Sequence, residues 1–224
     1  MIKRNPDKMK HRNGFTLVEV LIAIFILALV MSTVYVSYSG TLRISHQMEE
    51  ESNIYKMARW TMDRLIRDLS SLQPSGNSFY LTAEKEKIDR KEFHTIHFWS
   101  AAHLAFGEKE TSGRPATVSY YVREEGSEGS VSLWRADVSG ARPDEKKETA
   151  EGYVICKNIE AFKLTFYDQQ DRDMDLWNTS PASGHGEQLP RAIKIELALS
   201  NIQDKEKPYK FMTRIYLPSP KRTP

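Results

Sequence analysis

Glu19 places a carboxylate within a long apolar segment, where a charged group is unfavourable. The run from 15 to 36 is otherwise apolar or weakly polar, and as a helix it would span about 33 Å, the hydrocarbon thickness of a bilayer. A charged side chain in a membrane helix costs about 2.5–3.5 kcal/mol on insertion scales. An ordinary membrane anchor needs no such residue, so the position predicts that Glu19 has a function.

The peptide bond between Gly14 and Phe15 is the second candidate for chemistry. An ordinary secretory signal is cleaved after its apolar core, near small residues, and no A-x-A-like site follows this run. We therefore expect cleavage before Phe15, which leaves the apolar segment on the mature chain as its first helix. The preceding segment has one acidic residue, Asp7, against five basic residues: Lys3, Arg4, Lys8, Lys10 and Arg12.

The run from 12 to 23, RNGFTLVEVLIA, resembles the class III signal of type IV pilins and of the pseudopilins of type II secretion systems. The resemblance implies that prepilin peptidase cleaves between Gly14 and Phe15 and methylates the new amine of Phe15. It also implies that Glu19 pairs with the amino-terminal amine of a neighbouring subunit. Opposite charges attract strongly in a low dielectric, which offsets part of the desolvation of each.

The chain is expected to consist of four parts. These are a leader at 1–14, the transmembrane half of a helix at 15–38, the periplasmic half of that helix at 39–73, and a periplasmic β-domain at 74–224. The positive-inside rule places the leader in the cytoplasm and the rest beyond the membrane. The expected location is therefore the bacterial inner membrane, crossed once.

The second half of the predicted helix carries one apolar stripe at alternating three- and four-residue spacing, which predicts burial against the following domain. Pro74 and Gly76 are expected to end the helix. The stripe consists of Met48, Tyr55, Ala58, Met62, Leu65, Leu69 and Leu72.

Beyond Pro74 the apolar residues recur at every second position, which predicts strands. The fold class is therefore α+β: a pilin-like long helix packed on a mostly antiparallel β-domain. Two charged segments, 84–92 and 142–151, are expected to be solvated loops, and 169–190 a long loop anchored by Trp177. The expected strands are 78–83, 93–100, 117–123, 131–136, 153–156, 159–167, 192–200 and 209–217, the last two forming a hairpin.

Several segments of this region resemble the minor pseudopilin J family of type II secretion systems. They are 117–123, Leu133-Trp134-Arg135, 159–164, Trp177, and the Leu-Pro-Arg-Ala sequence that begins at Leu189. The resemblance implies a structural subunit, not an enzyme, that joins I- and K-type minor pseudopilins and the major pseudopilin at the tip of a periplasmic filament. A minor pilin of type IV pili remains the alternative, because both systems use the same amino-terminal signal. An anchored enzyme or binding module is a third hypothesis.

Metal binding is weakly indicated. Asp171, Asp173 and Asp175 match the start of an EF-hand loop, but Leu176 stands where the glycine is needed and Ala182 where the bidentate glutamate belongs. A solvated acidic turn is the preferred interpretation.

The histidines of the second expected strand region do not suggest zinc. In a strand at 93–100, His94 and His97 would point to opposite faces, so they could not share an ion with each other and with His103. No cofactor is expected.

The remaining features exclude other classes of function. The formal net charge is +2 for the whole chain, but the basic leader accounts for it, so the mature chain is slightly acidic and nucleic-acid binding is not expected. The single cysteine, Cys156, lies in an apolar run and is expected to be a buried, inert strand residue.

Overall fold

The computed structural model describes residues 14–74, 78–104, 114–125, 129–139, 152–180, 188–201, 204 and 206–217. One helix, α1 (Leu17–Ser70), precedes all the strands of this part of the chain. By contacts the chain divides into two compact units, Met1–Ser52 and Asn53–Pro224. The last third of α1, from Asn53 onward, therefore belongs to the same compact unit as the strands.

Local sequence signals explain where α1 begins and ends. Thr16 and Glu19 cap its first turn, and Arg67 places a positive charge in its last turn, where it interacts favourably with the helix dipole. The chain leaves the helix after Ser70, with Ser71 N donating to Arg67 O at 3.1 Å. The end thus falls four residues before Pro74, as expected of a proline that cannot continue a helix.

The strands of the described residues form two antiparallel sheets. One has the order β5-β4-β3-β2-β1-β8 and the other the order β10-β9-β6-β7. The strands are β1 (Leu81–Ile88), β2 (Lys91–Ser100), β3 (Ala116–Glu125), β4 (Ser130–Ser139), β5 (Tyr153–Cys156), β6 (Ile159–Tyr167), β7 (Asp173–Met174), β8 (Trp177–Asn178), β9 (Ala192–Leu199) and β10 (Tyr209–Tyr216).

The α+β architecture expected from the sequence is confirmed, and each expected strand has a counterpart in the structure. The hairpin of β9 and β10 pairs in antiparallel register from Tyr209 opposite Leu199 to Tyr216 opposite Ala192. The inward-facing residues of β9, Ile193 and Ile195 among them, are buried, whereas those of β10 are mostly half-buried. The period-two pattern identified this face correctly because one side of the sheet packs on the core.

The prediction of a solvated loop at 84–92 was wrong. The strands β1 and β2 continue through it and meet at a tight turn, where Asp89 adopts a φ of 55°. The charged side chains of β1 in this hairpin are exposed. Backbone hydrogen bonds pair the two strands there, so β1 needs no apolar side chains where its faces are not covered. The other charged segment, 142–151, lies outside the described residues.

The segment 169–190 is more ordered than the sequence suggested over the part described. It contains β7, which pairs with β6 in one sheet, and β8, which pairs with β1 in the other. Trp177 anchors it as expected, since its side chain is buried and Nε1 donates to the main-chain oxygen of Gln188 at 3.0 Å. This segment therefore links the two sheets at one edge.

One hydrophobic core joins α1 to the inner faces of both sheets. The predicted stripe is buried from Ala58 to Leu72, and Thr61 and Asp68 lie on the same buried face. Met48 is exposed. The stripe therefore serves as core only where α1 belongs to the second compact unit.

Candidate functional site

The start of α1 holds Glu19 in a capping box with Thr16. The Thr16 hydroxyl accepts from the backbone N–H of Glu19 at 3.3 Å, and the Glu19 carboxylate accepts from the backbone N–H and the hydroxyl of Thr16, both at 3.4 Å. These contacts satisfy donors that a helix N-terminus leaves unpaired. Sequence reasoning missed this role, although the T-x-x-E spacing is its signature.

Gly14 has no structural need to be glycine in the described chain. A Cβ placed on it would meet no atom within 4 Å, and it does not adopt a positive φ. The fold of the described chain therefore does not explain why a glycine stands at this position.

The apolar surface of Phe15 and of α1 as far as Tyr38 is exposed. Phe15 is 83% exposed and Leu17 84% exposed, and the helix is long and apolar enough to cross a membrane. None of its most apolar stretch is buried within the described chain. A surface of this kind is stable in an apolar medium, which supports anchoring of the chain by a single membrane-spanning helix.

A buried ionic cluster attaches the second half of α1 to the larger sheet. Asp68 on α1 and Arg135 on β4 have fully buried side chains, and Arg135 Nε donates to Asp68 Oδ2 at 2.6 Å. The hydroxyl of Tyr120 on β3 donates to the same oxygen at 2.7 Å. Burial, together with the negative charge of Asp68, holds the pKa of Tyr120 well above its ordinary value. The neutral phenol therefore persists as a donor.

The cluster continues to the chain that follows β2. Arg64 Nη2 lies 2.7 Å from Asp68 Oδ1 and donates to the main-chain oxygen of Ala102 at 2.8 Å. Arg135 Nη1 lies 3.1 Å from Asp137 Oδ1, and the other oxygen of Asp137 lies 2.9 Å from His103 Nδ1. Burial, the largest single influence, lowers the pKa of Arg135, but the charge and hydrogen bond of Asp68 together with the nearby Tyr120 and Tyr153 outweigh it and raise that pKa. Opposite charges thus compensate each other across α1, β4 and the chain after β2.

Sequence reasoning also missed this cluster. The available signals were charged residues at inward positions: Asp68 lies on the apolar face of α1, and Arg135 lies two residues after the buried Leu133. Neither signal identifies the partner, because Asp68 and Arg135 are far apart in the chain and meet only through the tertiary fold.

The candidate metal ligands are engaged with cations of the chain. Asp171 pairs with Arg214 at 2.5 Å, and Asp175 with Lys85 at 2.8 Å. The hydrogen bond and charge of Lys85 lower the pKa of Asp175. Across the described ranges, no three His, Cys, Asp or Glu side chains are grouped so as to hold a metal ion. Asp173 lies on β7 and is exposed.

The three histidines have three different neighbours. His94 Nε2 lies 2.9 Å from the main-chain oxygen of Asp175, His97 Nδ1 lies 2.7 Å from the Ser119 hydroxyl, and His103 belongs to the ionic cluster. Burial lowers the pKa of both His94 and His97. The three side chains therefore lie in separate environments.

Cys156 is buried at the end of β5, as the sequence predicted. Burial raises the pKa of its thiol to about 12. The thiol therefore remains protonated at physiological pH, and its reactivity is low.

A groove of about 570 Å³ lies where the β1–β2 hairpin faces β6. Its charged lining is largely paired internally, since Lys85 contacts Asp175 and Lys91 contacts Glu160. Thr165 contributes the one hydroxyl of this lining, and it makes no hydrogen bond to His94 in the described structure.

Comparison with known proteins matches two adjoining stretches of the chain. The family profile of type II secretion system protein J matches residues 36–209, and the prokaryotic N-terminal methylation motif matches residues 9–35. The chain belongs to the protein J family of type II secretion systems. It is a minor pseudopilin, a structural subunit of a family that is processed by prepilin peptidase and assembles with other pseudopilins.

A solved structure and the curated sequences add little to this assignment. A type IV-like pilin from Thermus thermophilus is 10% identical, with a TM-score of 0.46 over 74% of this chain and 97% of that chain. This likeness is too distant to inform function. Comparison with curated protein sequences gave no significant match.

The motifs that resembled the protein J family have structural roles in this pseudopilin. The arginine of Leu133-Trp134-Arg135 is the buried centre of the ionic cluster. The Leu-Pro-Arg-Ala sequence brings the chain into β9, with Leu189 buried and Arg191 N donating to Tyr167 O at 2.7 Å. These residues therefore contribute to the packing of α1 and the two sheets.

Proposed function

We propose that this pseudopilin is incorporated at the tip of the pseudopilus with I- and K-type minor pseudopilins, above the major pseudopilin. The observation that carries the proposal is the protein J match over 36–209, directly after an amino-terminal methylation motif. Its role there is to help assemble the filament that exports proteins across the outer membrane. The protein J family consists of structural subunits that are not known as enzymes.

We propose that prepilin peptidase cleaves between Gly14 and Phe15 and methylates the amine of Phe15. The exposure of both residues and the absence of any steric need for glycine in the described chain support a position read by a processing enzyme. We further propose the parts 1–14, 15–38, 39–73 and 74–224 as leader, membrane-spanning helix, periplasmic helix and periplasmic domain. The basic leader favours a cytoplasmic amino terminus in the inner membrane.

Glu19 is proposed to pair with the methylated amine of a neighbouring subunit. The position of Glu19 supports this role, because its side chain is exposed at the start of the helix, where a neighbouring subunit can approach it. An ion pair in low dielectric offsets part of the cost of burying each charge. A subunit without its partner would retain that cost, which favours assembly.

The test is deletion of the gene, followed by assays of exported enzymes in the culture supernatant and of pilus-dependent surface motility. Loss of secretion with intact motility is the expected result, and the intact gene supplied in trans should restore secretion. Normal secretion with loss of pili would overturn the proposal and assign the chain to type IV pili.

A further inference from the structure

The strand β10 ends its sheet, and no strand of the described residues pairs with its second edge. Leu217 N donates to Arg191 O, one residue beyond the register pair of Tyr216 with Ala192. Because backbone groups of an antiparallel strand face alternate sides, the odd-numbered residues of β10 bond to β9. The backbone N–H and C=O groups of Lys210, Met212, Arg214 and Tyr216 therefore face away from β9.

β10 is the longest of the strands that end a sheet in the described chain. The edge strands β7 and β8 have two residues each and β5 has four, whereas β10 has eight, in register with β9 throughout. Among the described residues, no backbone hydrogen bond reaches the outward side of β10. A long open edge is normally shortened, bulged or covered, because it is a template for another strand.

Apolar side chains flank the open edge on both faces of the sheet. On the outer face, Met212 is 68% exposed and Tyr216 is 62% exposed. On the inner face, Tyr55 of α1 packs edge-on against Tyr209 and Phe211, with ring centroids 5.7 and 5.5 Å apart, and remains half exposed. A strand added to β10 would thus gain apolar contacts on both of its own faces as well as backbone hydrogen bonds.

We propose that β10 is completed by an extended strand from another pseudopilin subunit. This inference rests on the proposed function, since the family assembles with other pseudopilins. The ladder of alternating donors and acceptors selects a strand as the occupant, because only an extended backbone matches its spacing. The exposed Lys210 in the same edge favours a strand that carries a carboxylate near it.

The test is capture of the other pseudopilins of the same secretion system, co-expressed with the tagged full-length chain in membranes. Met212→Pro removes an outward-facing N–H and leaves the ladder to β9 intact, whereas Met212→Thr changes the side chain and keeps the N–H. We expect Met212→Pro to lower capture about tenfold or more and Met212→Thr to stay within about twofold of the unmodified chain. Thermal unfolding of both variants checks that each remains folded.

A photo-crosslinking residue at Lys210 identifies the occupant, with the same residue at the exposed Lys87 of β1 as control. A crosslink from position 210 to another pseudopilin, absent from position 87, is expected. A crosslink to a second copy of this chain or within the chain would overturn the proposal, as would capture of a folded Met212→Pro chain at the unmodified level. Failure of the unmodified chain to capture any pseudopilin would instead overturn the assembly function itself, and the strand proposal with it.

Discussion

Glu19 accepts hydrogen bonds within its own helix, so its carboxylate has a structural role in the isolated chain as well as the proposed role between subunits. The two roles need different properties of the side chain. Capping needs an acceptor oxygen, which an amide also supplies, whereas pairing with an amine needs the negative charge. Substitution at this position can therefore separate them.

We predict that Glu19→Leu and Glu19→Gln both insert into the membrane and both lose recruitment by about tenfold or more. Insertion should persist because removing the charge relieves about 2.5–3.5 kcal/mol of insertion cost. Glutamine keeps the acceptor for Thr16 and lacks only the charge. Protease protection measures insertion, and co-purification with the partner subunits measures recruitment. Recruitment of the glutamine variant at the unmodified level would show that capping, not charge pairing, is what assembly requires.

At the scale of elements, the sequence predicted the existence of the longer strands better than it predicted where those strands end. Strands with one buried face, such as β9, show the alternation that identifies them. The distal part of the β1–β2 hairpin lacks that alternation because neither face of β1 is covered there, so its charges suggested a loop. The short strands β7 and β8 were missed because two residues are too few to show a period.

The ionic cluster could not be predicted for a different reason. The burial of Asp68 depends on Arg135, Tyr120 and Arg64 meeting it from other parts of the fold. Sequence periodicity reports which face of an element is buried but does not report which buried charges meet. The helix is therefore held to the sheet by contacts that periodicity alone does not reveal.

We predict that Asp68→Ala destabilises the folded unit by about 3–5 kcal/mol, because the buried guanidinium of Arg135 loses one of its two carboxylate partners and keeps only Asp137. Asp63→Ala is the matched control on the same helix, since Asp63 and Arg59 form an exposed pair at 3.9 Å, and its effect should stay within about 1 kcal/mol. Denaturant unfolding of both variants measures the difference. A loss below about 1 kcal/mol for Asp68→Ala would mean that the cluster contributes little to holding α1 in place.

At the scale of the molecule, folding and assembly depend on different parts of the chain. The unit Asn53–Pro224 contains the hydrophobic core, including the buried residues of α1 from Ala58 onward. The unit Met1–Ser52 contains the apolar helical surface and the residues proposed for processing and pairing. Removing the first unit should therefore abolish anchoring without removing the core of the second.

We predict that a fragment beginning at Asn53, exported to the periplasm by a cleavable signal, unfolds cooperatively but does not restore secretion to the deletion strain. Its core is complete, so a single transition is expected on thermal unfolding. It lacks the membrane helix and Glu19, so it should not enter the filament. The full-length chain, expressed to the same periplasmic level, is the control and should restore secretion. Restoration by the fragment would show that the β-sheet unit acts by itself, which favours a binding module over a subunit that works by assembly.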